Sequence, residues 1–232
     1  MTKYKGTKTL EVLEGADNYN KWIASSLMPH VKSPALEIGA GTGNISEYFT
    51  HIKDLVLSDN DSQLVRKLSE KFKKNVNIAV EVLDVASNIS KVKRQFKTIF
   101  AINVLEHIED DLKALQNMNM LLEKGGRVVL LVPAKKFAFT DLDKNLGHFR
   151  RYEKNELQEK IKHAGFELEK IEFFNFLGLL SWLVRDRVSR GEEHLKKSHV
   201  KLFDFIVPIL KVIEPKSRLP IGISLIVVAR KK

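Results

Sequence analysis

Glycines alternate with small residues in one short segment of the chain, directly after an apolar run. They are Gly39, Gly41 and Gly43, with Ala40 between the first two. Glycine allows a sharp turn and a close approach of the backbone to a ligand, and a helix predicted to begin near Asn44 adds free amides and a positive dipole end. The G-x-G-x-x-G spacing of dinucleotide-binding loops is absent, because positions 44 and 46 are Asn and Ser. The segment therefore predicts a ligand-binding loop of a different kind.

Polar residues close the next apolar runs, at the places where strands would end. Asp59 lies twenty residues beyond Gly39, and Asp84 and Asn103 close two later runs. The carboxyl ends of parallel strands meet at one edge of a sheet, and ligands in such sheets bind at that edge. A single acid at a strand end is also typical of a helix N-cap or a solvated turn. The ordered set, more than any one member, favours a binding site.

The G-x-G-x-G loop, the two acids and the string Asn103-Val104-Leu105-Glu106-His107-Ile108 resemble, in this order, class I S-adenosylmethionine-dependent methyltransferases. The resemblance implies that S-adenosylmethionine is the cofactor and S-adenosylhomocysteine the product. It places Asp59 at the ribose hydroxyls, Asp84 at the adenine amino group, and Glu37 with Asn103 at the methionine end. The residues that it assigns to cofactor binding are Glu37, Gly39, Ala40, Gly41, Gly43, Asp59, Asn60, Asp84, Val85 and Asn103.

Methyl transfer from a sulfonium requires an aligned nucleophile, exclusion of water and a deprotonated acceptor. The string Gly147-His148-Phe149-Arg150-Arg151-Tyr152 resembles a bacterial subgroup of these enzymes that is associated with envelope glycans and natural products. His148 can act as a base near neutral pH. Arg150 and Arg151 can hold a carboxylate or phosphate, and Tyr152 can pack or donate. The alternative is a structural loop with exposed arginines, in which Tyr152 staples the next helix.

Glu106 and His107 form a second candidate cluster. The segment is similar to that of quinone-type O-methyltransferases, some of which place two Glu and one His around a divalent metal, but Asn103 stands here where one ligand would be. With one ligand missing we predict no metal. His107 remains a second catalytic candidate, beside the alternative that Glu106 and His107 only shape the turn into the following helix.

Short apolar segments alternate with amphipathic ones over the first 135 residues, as in a doubly wound α/β sheet. The sequence predicts a seven-stranded, mostly parallel, Rossmann-like methyltransferase sheet, and the resemblance implies an antiparallel last strand. The predicted strands cover residues 35–38, 55–59, 78–83, 98–102, 127–132, 166–174 and 222–229. The predicted helices cover residues 44–51, 62–74, 110–123 and 153–164, with a loop over 134–152.

Residues 175–219 are not required by the sheet and carry apolar runs beside basic residues. We predict a helical insertion there, within one methyltransferase domain that spans residues 1–232. The chain has 39 Lys and Arg against 29 Asp and Glu, a net charge of +10, and residues 185–232 alone contribute +7. Such helices fit a lid over a hydrophobic or anionic substrate, or packing on the sheet with a solvated basic back. Contact with acidic lipid is the less favoured alternative.

Composition restricts the remaining classes of protein. There is no Cys, which excludes disulfides, thiolate metal sites and a cysteine nucleophile. Residues 1–10 lack a signal-peptide core, and no apolar run approaches the length of a membrane span. We therefore expect a cytoplasmic protein, with peripheral contact at the inner face of the membrane as the alternative.

The expected activity is methyl transfer to a small-molecule or lipid-linked acceptor, with O-methylation ahead of N- and C-methylation. The Asn/Asp-Pro-Pro-Tyr string that is typical of base-modifying enzymes is absent, as is any basic stretch interleaved with aromatic residues. We therefore predict no nucleic-acid partner. Two alternatives remain open: a non-catalytic regulatory or scaffold protein that binds S-adenosylmethionine, and, less favoured, a nucleic-acid methyltransferase.

Overall fold

A computed structural model describes residues 15–87, 89, 92–188, 197–217 and 220–232. Residues 1–10, and residues 189–196 and 218–219 of the predicted insertion, lie outside the described part. Seven strands form one sheet in the order β3-β2-β1-β4-β5-β7-β6. They are β1 (Ala35–Ile38), β2 (Leu55–Asp59), β3 (Ile78–Val82), β4 (Phe96–Ile102), β5 (Leu122–Pro133), β6 (Phe166–Phe174) and β7 (Ser224–Lys231).

The pairing of these strands confirms the predicted sheet. The five strands from β3 to β5 are parallel to their neighbours, whereas β7 runs antiparallel between β5 and β6. Every residue of β1 and β2 is buried, as expected for central strands that are covered on both faces. The chain runs from β1 outward to β3 and returns to β4 on the other side of β1, so the order reverses between β1 and β4. In open α/β sheets that crevice is the usual ligand site.

Helices cover both faces of the sheet, which makes the fold doubly wound. One apolar core contains side chains of α3 and α5, and the other contains side chains of α1, α2 and α7. None of the described helices is both long enough and apolar enough to cross a membrane. The helices are α1 (Asp17–Leu27), α2 (Ser62–Phe72), α3 (Asp111–Leu121), α4 (Asp141–Leu146), α5 (Lys154–His163), α6 (Phe176–Val188) and α7 (Lys197–Ser217).

Four local predictions need correction. The helix predicted over 44–51 is a single 3-10 turn, Ser46–Phe49, with no side-chain cap at its start. The helix predicted to reach residue 123 ends at Leu121, because the chain enters β5 at Leu122 before it meets the glycine pair. Helix α1 was not predicted, and α4 lies inside the predicted loop. The predicted insertion does contain helices, α6 and the 21-residue α7.

Candidate functional site

A cavity of about 1180 Å³ opens at the carboxyl edge of the sheet, over the β1–β4 crevice. It contains most of the residues that the sequence singled out. Gly43, Arg150 and Tyr152 are the predicted site residues that do not line it. Those that do are Glu37, Gly39, Ala40, Gly41, Asp59, Asn60, Asp84, Val85, Asn103, His107, His148 and Arg151.

The glycine loop turns sharply because its glycines adopt the left-handed backbone region. Gly39 has a φ of 69°, and a Cβ there would lie 2.4 Å from a methyl group of Val104. A side chain at this position is therefore excluded twice, by conformation and by space. Gly43 has another role: a Cβ there would meet Leu68 and the Phe72 ring at 2.9 and 2.7 Å. The sequence assigned Gly43 to the cofactor, but the structure places it against α2, where it allows close packing.

Glu37 is a buried carboxylate beside this loop. It is 3% exposed, and its Oε2 atom has no hydrogen-bond partner among the described residues. Burial, together with the neighbouring carboxylate of Asp59, raises the pKa of Glu37 to about 7, against the lowering effect of the Ser46 side chain. A buried carboxylate oxygen without a described partner, in a cavity wall, fits a cationic group. The ammonium of the methionine part of S-adenosylmethionine is such a group, so this residue fits the cofactor that the fold implies.

Asp59 and Asp84 are held in fixed orientations by backbone amides. The two oxygens of Asp59 accept hydrogen bonds from Gly41 N and Asp61 N, both at 3.0 Å. Asp84 accepts from Ala86 N at 2.9 Å and from the Ser87 hydroxyl at 2.6 Å. Both acids thus close local turns, as the alternative interpretation proposed. A carboxylate oxygen has a second lone pair, so this does not prevent contact with ribose hydroxyls or an amino group.

His148 reaches the same cavity from the loop after β5. Its Nδ1 atom lies 2.8 Å from Asp143 Oδ1, and its Nε2 atom lies 4.0 Å from Glu106 Oε1. The ring stands edge-on to the ring of His107, with centroids 4.6 Å apart. Two histidines and a buried glutamate, from two different loops, therefore form one cluster at the cavity wall.

Asp143 is the residue of this site that sequence reasoning missed. It is fully buried, and its Oδ2 atom accepts a hydrogen bond from Thr140 N in a capping box that begins α4. Gly147 ends that helix in the left-handed conformation, and this turn places His148 beside Asp143. Burial raises the pKa of Asp143, but the hydrogen bond to His148 and the charge of Arg151 outweigh it, so the pKa lies below its usual value. Thr140-x-x-Asp143 followed by Gly147 was the available sequence signal.

The two arginines and the tyrosine of the loop have separate positions. Arg151 is 3% exposed, donates through Nε to Asp143 Oδ1 at 2.9 Å, and lies over the Trp182 ring at 4.6 Å. Arg150 pairs with Asp111 at 2.8 Å, and the buried Tyr152 donates to the same carboxylate at 2.9 Å. Both residues are engaged in anchoring α3, and the substrate-binding role predicted for them stays a prediction. Only Arg151 lines the cavity.

Glu106, His107 and His148 are also arranged as metal ligands could be. One ligand atom from each lies within 4.8 Å of the others, and neither oxygen of the fully buried Glu106 has a partner among the described residues. Burial raises the pKa of Glu106 to about 7, against the opposing charges of His148 and Arg151, and burial lowers the pKa of His107 to about 4. The sequence lacked a third ligand, and the fold supplies one in His148. The prediction of no metal stays a prediction.

This chain is similar to known proteins in its sequence and in its fold. A family profile described as a methyltransferase domain matches residues 18–171. No curated relative matches the sequence. Among solved structures, a proposed methyltransferase from Bacillus halodurans is 18% identical, with a TM-score of 0.61 over 90% of this chain and 98% of its own.

Two further structures show how broadly this fold is used. An S-adenosylmethionine-dependent methyltransferase from Clostridium acetobutylicum is 12% identical, with a TM-score of 0.59 over 92% of this chain and 91% of its own. The cyclase SpnF is 16% identical, with a TM-score of 0.60 over 93% and 81%. At these identities the likeness establishes the fold alone, and the family follows from the profile match. The chain therefore belongs to the methyltransferase-domain family and is an S-adenosylmethionine-dependent methyltransferase.

Proposed function

We propose that this methyltransferase acts on a hydroxyl group of a small-molecule or lipid-linked acceptor and that His148 is the general base. The contact of His148 Nδ1 with Asp143 Oδ1 at 2.8 Å carries this proposal. A carboxylate only accepts hydrogen bonds, so it holds the proton of the imidazole on Nδ1 and leaves the lone pair on Nε2. Nε2 is then the atom that takes the hydroxyl proton, as in other carboxylate–histidine pairs.

The surrounding charges support a proton on His148 during the reaction. Asp143 is ionised at neutral pH because its pKa lies below the usual value, so it stabilises the imidazolium that forms. His107 stays neutral, since its pKa is near 4, and it adds no opposing charge. On the far side, Glu106 Oε1 lies 4.0 Å from Nε2. The base therefore lies between the carboxyl groups of Asp143 and Glu106.

The cofactor side is formed by the residues that line the other end of the cavity. When bound, S-adenosylmethionine supplies an electrophilic methyl group. We assign its ammonium to Glu37, its ribose to Asp59 and its adenine to Asp84, with the backbone of Gly39 and Gly41 against the methionine part. The unpartnered Oε2 atom of Glu37 is the observation that supports this orientation.

The rest of the cavity is suited to an acceptor with an apolar body. Its volume of about 1180 Å³ lies above the 300–1,000 Å³ that is typical of ligand pockets, which leaves room beside a cofactor. Leu142, Trp182 and Phe203 contribute apolar wall. Arg151 uses Nε and Nη1 for Asp143 and the carbonyl of Ala134, so further donors remain for a polar group of the acceptor.

The presence of a base favours acceptors that must lose a proton. A hydroxyl oxygen becomes a strong nucleophile only on deprotonation, whereas a neutral amine already has a free lone pair. A carbon acid also requires a base, so C-methylation is the next alternative on this argument. We place O-methylation first because Arg151, a cation that lines the cavity, is already paired with Asp143, which weakens its ability to stabilise a carbanion.

The proposal is tested with methyl-labelled S-adenosylmethionine and a panel of hydroxyl, amine and carbon-acid acceptors together with a total lipid extract. We expect label in a methyl ether. His148→Ala should lower its formation by about a hundredfold or more, as loss of a general base does. The affinity for S-adenosylhomocysteine, measured by calorimetry, should stay unchanged. The exposed His163→Ala serves as the matched control and should behave as the unmodified protein.

Two outcomes contradict the proposal. Unchanged turnover in His148→Ala removes the base role. Tight binding of S-adenosylhomocysteine without label transfer to any acceptor instead identifies a regulatory or scaffold protein.

A further inference from the structure

Helix α7 is apolar on two opposite faces, and the residues that the structure describes cover only one of them. Val207 and Leu210 pack into the core that α1 and the sheet share, at 1% and 3% exposure. Six apolar side chains on the other face, here called the outer stripe, are 39–79% exposed. The outer stripe consists of Leu202, Phe205, Ile206, Ile209, Val212 and Ile213. Spacings of three and four residues put these side chains on one side of the helix, where a water-facing helix is normally polar.

The orientation of α7 is fixed by its two acidic residues, which both point inward. Asp204 accepts hydrogen bonds from Asn18 N at 3.3 Å and from Tyr19 N at 2.8 Å, which satisfies free amides in the first turn of α1. Glu214 accepts from the backbone amides of Asn175 and Phe176 at the start of α6. Rotation of α7 to bury the outer stripe would break both caps. The stripe is therefore presented outward by the fold itself.

Charge selects among the surfaces that could cover this stripe. Both acidic residues of α7 are used as caps. The other charged residues of this helix are all lysines, of which Lys201 and Lys211 are exposed. A second copy of the chain, seated on the stripe, would bring its own lysines against these. An anionic lipid surface instead matches both features, because it accepts apolar side chains and attracts the flanking cations. The sequence from residue 185 onward carries a net charge of +7, of the same sign.

The outer stripe is continuous with the cavity. Leu202 and Ile206 belong to the stripe and also line the cavity. Leu180 of α6, 44% exposed, lines it as well. An apolar path therefore runs from the outside of α7 to the space beside His148.

We propose that the outer stripe docks the protein on an anionic lipid bilayer, with the opening of the cavity toward the membrane. Phe205 and Ile209 enter the acyl–headgroup boundary, and Lys201 and Lys211 contact lipid phosphates. Docking does not depend on the proposed function. A corollary does rest on that function: an amphiphilic acceptor, anchored in the bilayer, reaches the cavity along the apolar path without leaving the membrane.

Vesicle sedimentation of the full-length protein tests the docking. The vesicles are phosphatidylcholine alone or phosphatidylcholine with phosphatidylglycerol, and no acceptor is added. We expect binding to the phosphatidylglycerol vesicles that weakens with added salt. The double variant Phe205→Asp, Ile209→Asp should lose about tenfold or more of this binding, since it places two charges in the apolar contact. Neither residue lines the cavity, so binding of S-adenosylhomocysteine to the variant should be retained, which also shows that it is folded.

Val76→Asp is the matched control, because Val76 is a fully exposed apolar residue before β3, on a different part of the surface. It should sediment with vesicles as the unmodified protein does. Three results overturn the proposal: no binding to phosphatidylglycerol vesicles, equal binding by the double variant, or a dimer in analytical ultracentrifugation that the same two substitutions dissociate. Failure of methyl transfer, by contrast, leaves the docking result unaffected.

Discussion

Two buried glutamates on neighbouring parts of the sheet, Glu37 in β1 and Glu106 just beyond β4, face opposite electrostatic surroundings. Both have an oxygen without a described partner, and burial raises the pKa of each to about 7. The charge that acts on Glu37 is the carboxylate of Asp59, whereas Glu106 lies near His148 and Arg151 as well as Asp143. The negative surroundings of Glu37 fit a cation from a ligand, whereas Glu106 lies among ionisable side chains of the protein itself. Under the proposed function, equal burial serves cofactor binding at Glu37 and acid–base chemistry beside Glu106.

The largest effect is expected from a substitution beside the proposed base, in the part of the cavity assigned to the acceptor. Asp143→Asn removes the charge that stabilises protonated His148 and allows the wrong tautomer, so we expect turnover to fall about a hundredfold. The pH–rate profile should also shift toward acid, which loss of packing alone would not cause. Affinity for S-adenosylhomocysteine should remain. Asp141→Asn, an exposed neighbour on α4, is the control and should have normal turnover.

An intermediate effect is expected on the cofactor side. Glu37→Gln replaces a charged hydrogen bond with a neutral one, so affinity for S-adenosylhomocysteine should fall by about ten- to a hundredfold at pH 8. Only the ionised carboxylate attracts the ammonium, and the free protein holds the pKa of Glu37 near 7. The unmodified protein should therefore bind more weakly as pH falls below 7, by up to about tenfold per pH unit.

Titration calorimetry across pH measures both parts of this prediction. Glu37→Gln should abolish the pH dependence, while the exposed Glu47→Gln should retain it. A pH-independent affinity in the unmodified protein would remove Glu37 from the ammonium site.

The smallest effect is expected from removal of metal ions. Glu106, His107 and His148 can be explained as buried carboxyl, neutral neighbour and base, in that order, so treatment with a chelator should change turnover by less than about twofold. Turnover is measured before and after chelation and after addition of Mg²⁺, Mn²⁺ or Zn²⁺. Loss on chelation with recovery on addition of one ion would assign this cluster to metal and would replace the base mechanism.

The sequence predicted the sheet well because buried parallel strands have a local signature. Runs such as 35–38 and 55–59 are continuously apolar apart from Glu37, Ser58 and the final Asp59, and they match β1 and β2 at both ends. Prediction was weaker where hydrogen bonds to distant residues decide the conformation. Helix α1 begins at Asp17 with no side-chain cap of its own, and its first amides are satisfied by Asp204, 185 residues away. No local pattern contains that partner.

The glycine loop and the acids at strand ends were determined by the sequence, because backbone conformation at Gly39 and strand termination at Asp59 depend on neighbours along the chain. The acceptor side was decided by the tertiary structure. Glu106, Asp143 and His148 become one cluster only when the loop after β5 folds back over the end of β4, with Phe149 N donating to Glu106 O at 2.8 Å. The outer stripe of α7 is a similar case. Helix α7 is apolar on two faces in the sequence. The core packing of Val207 and Leu210 and the caps made by Asp204 and Glu214 determine which face meets the solvent.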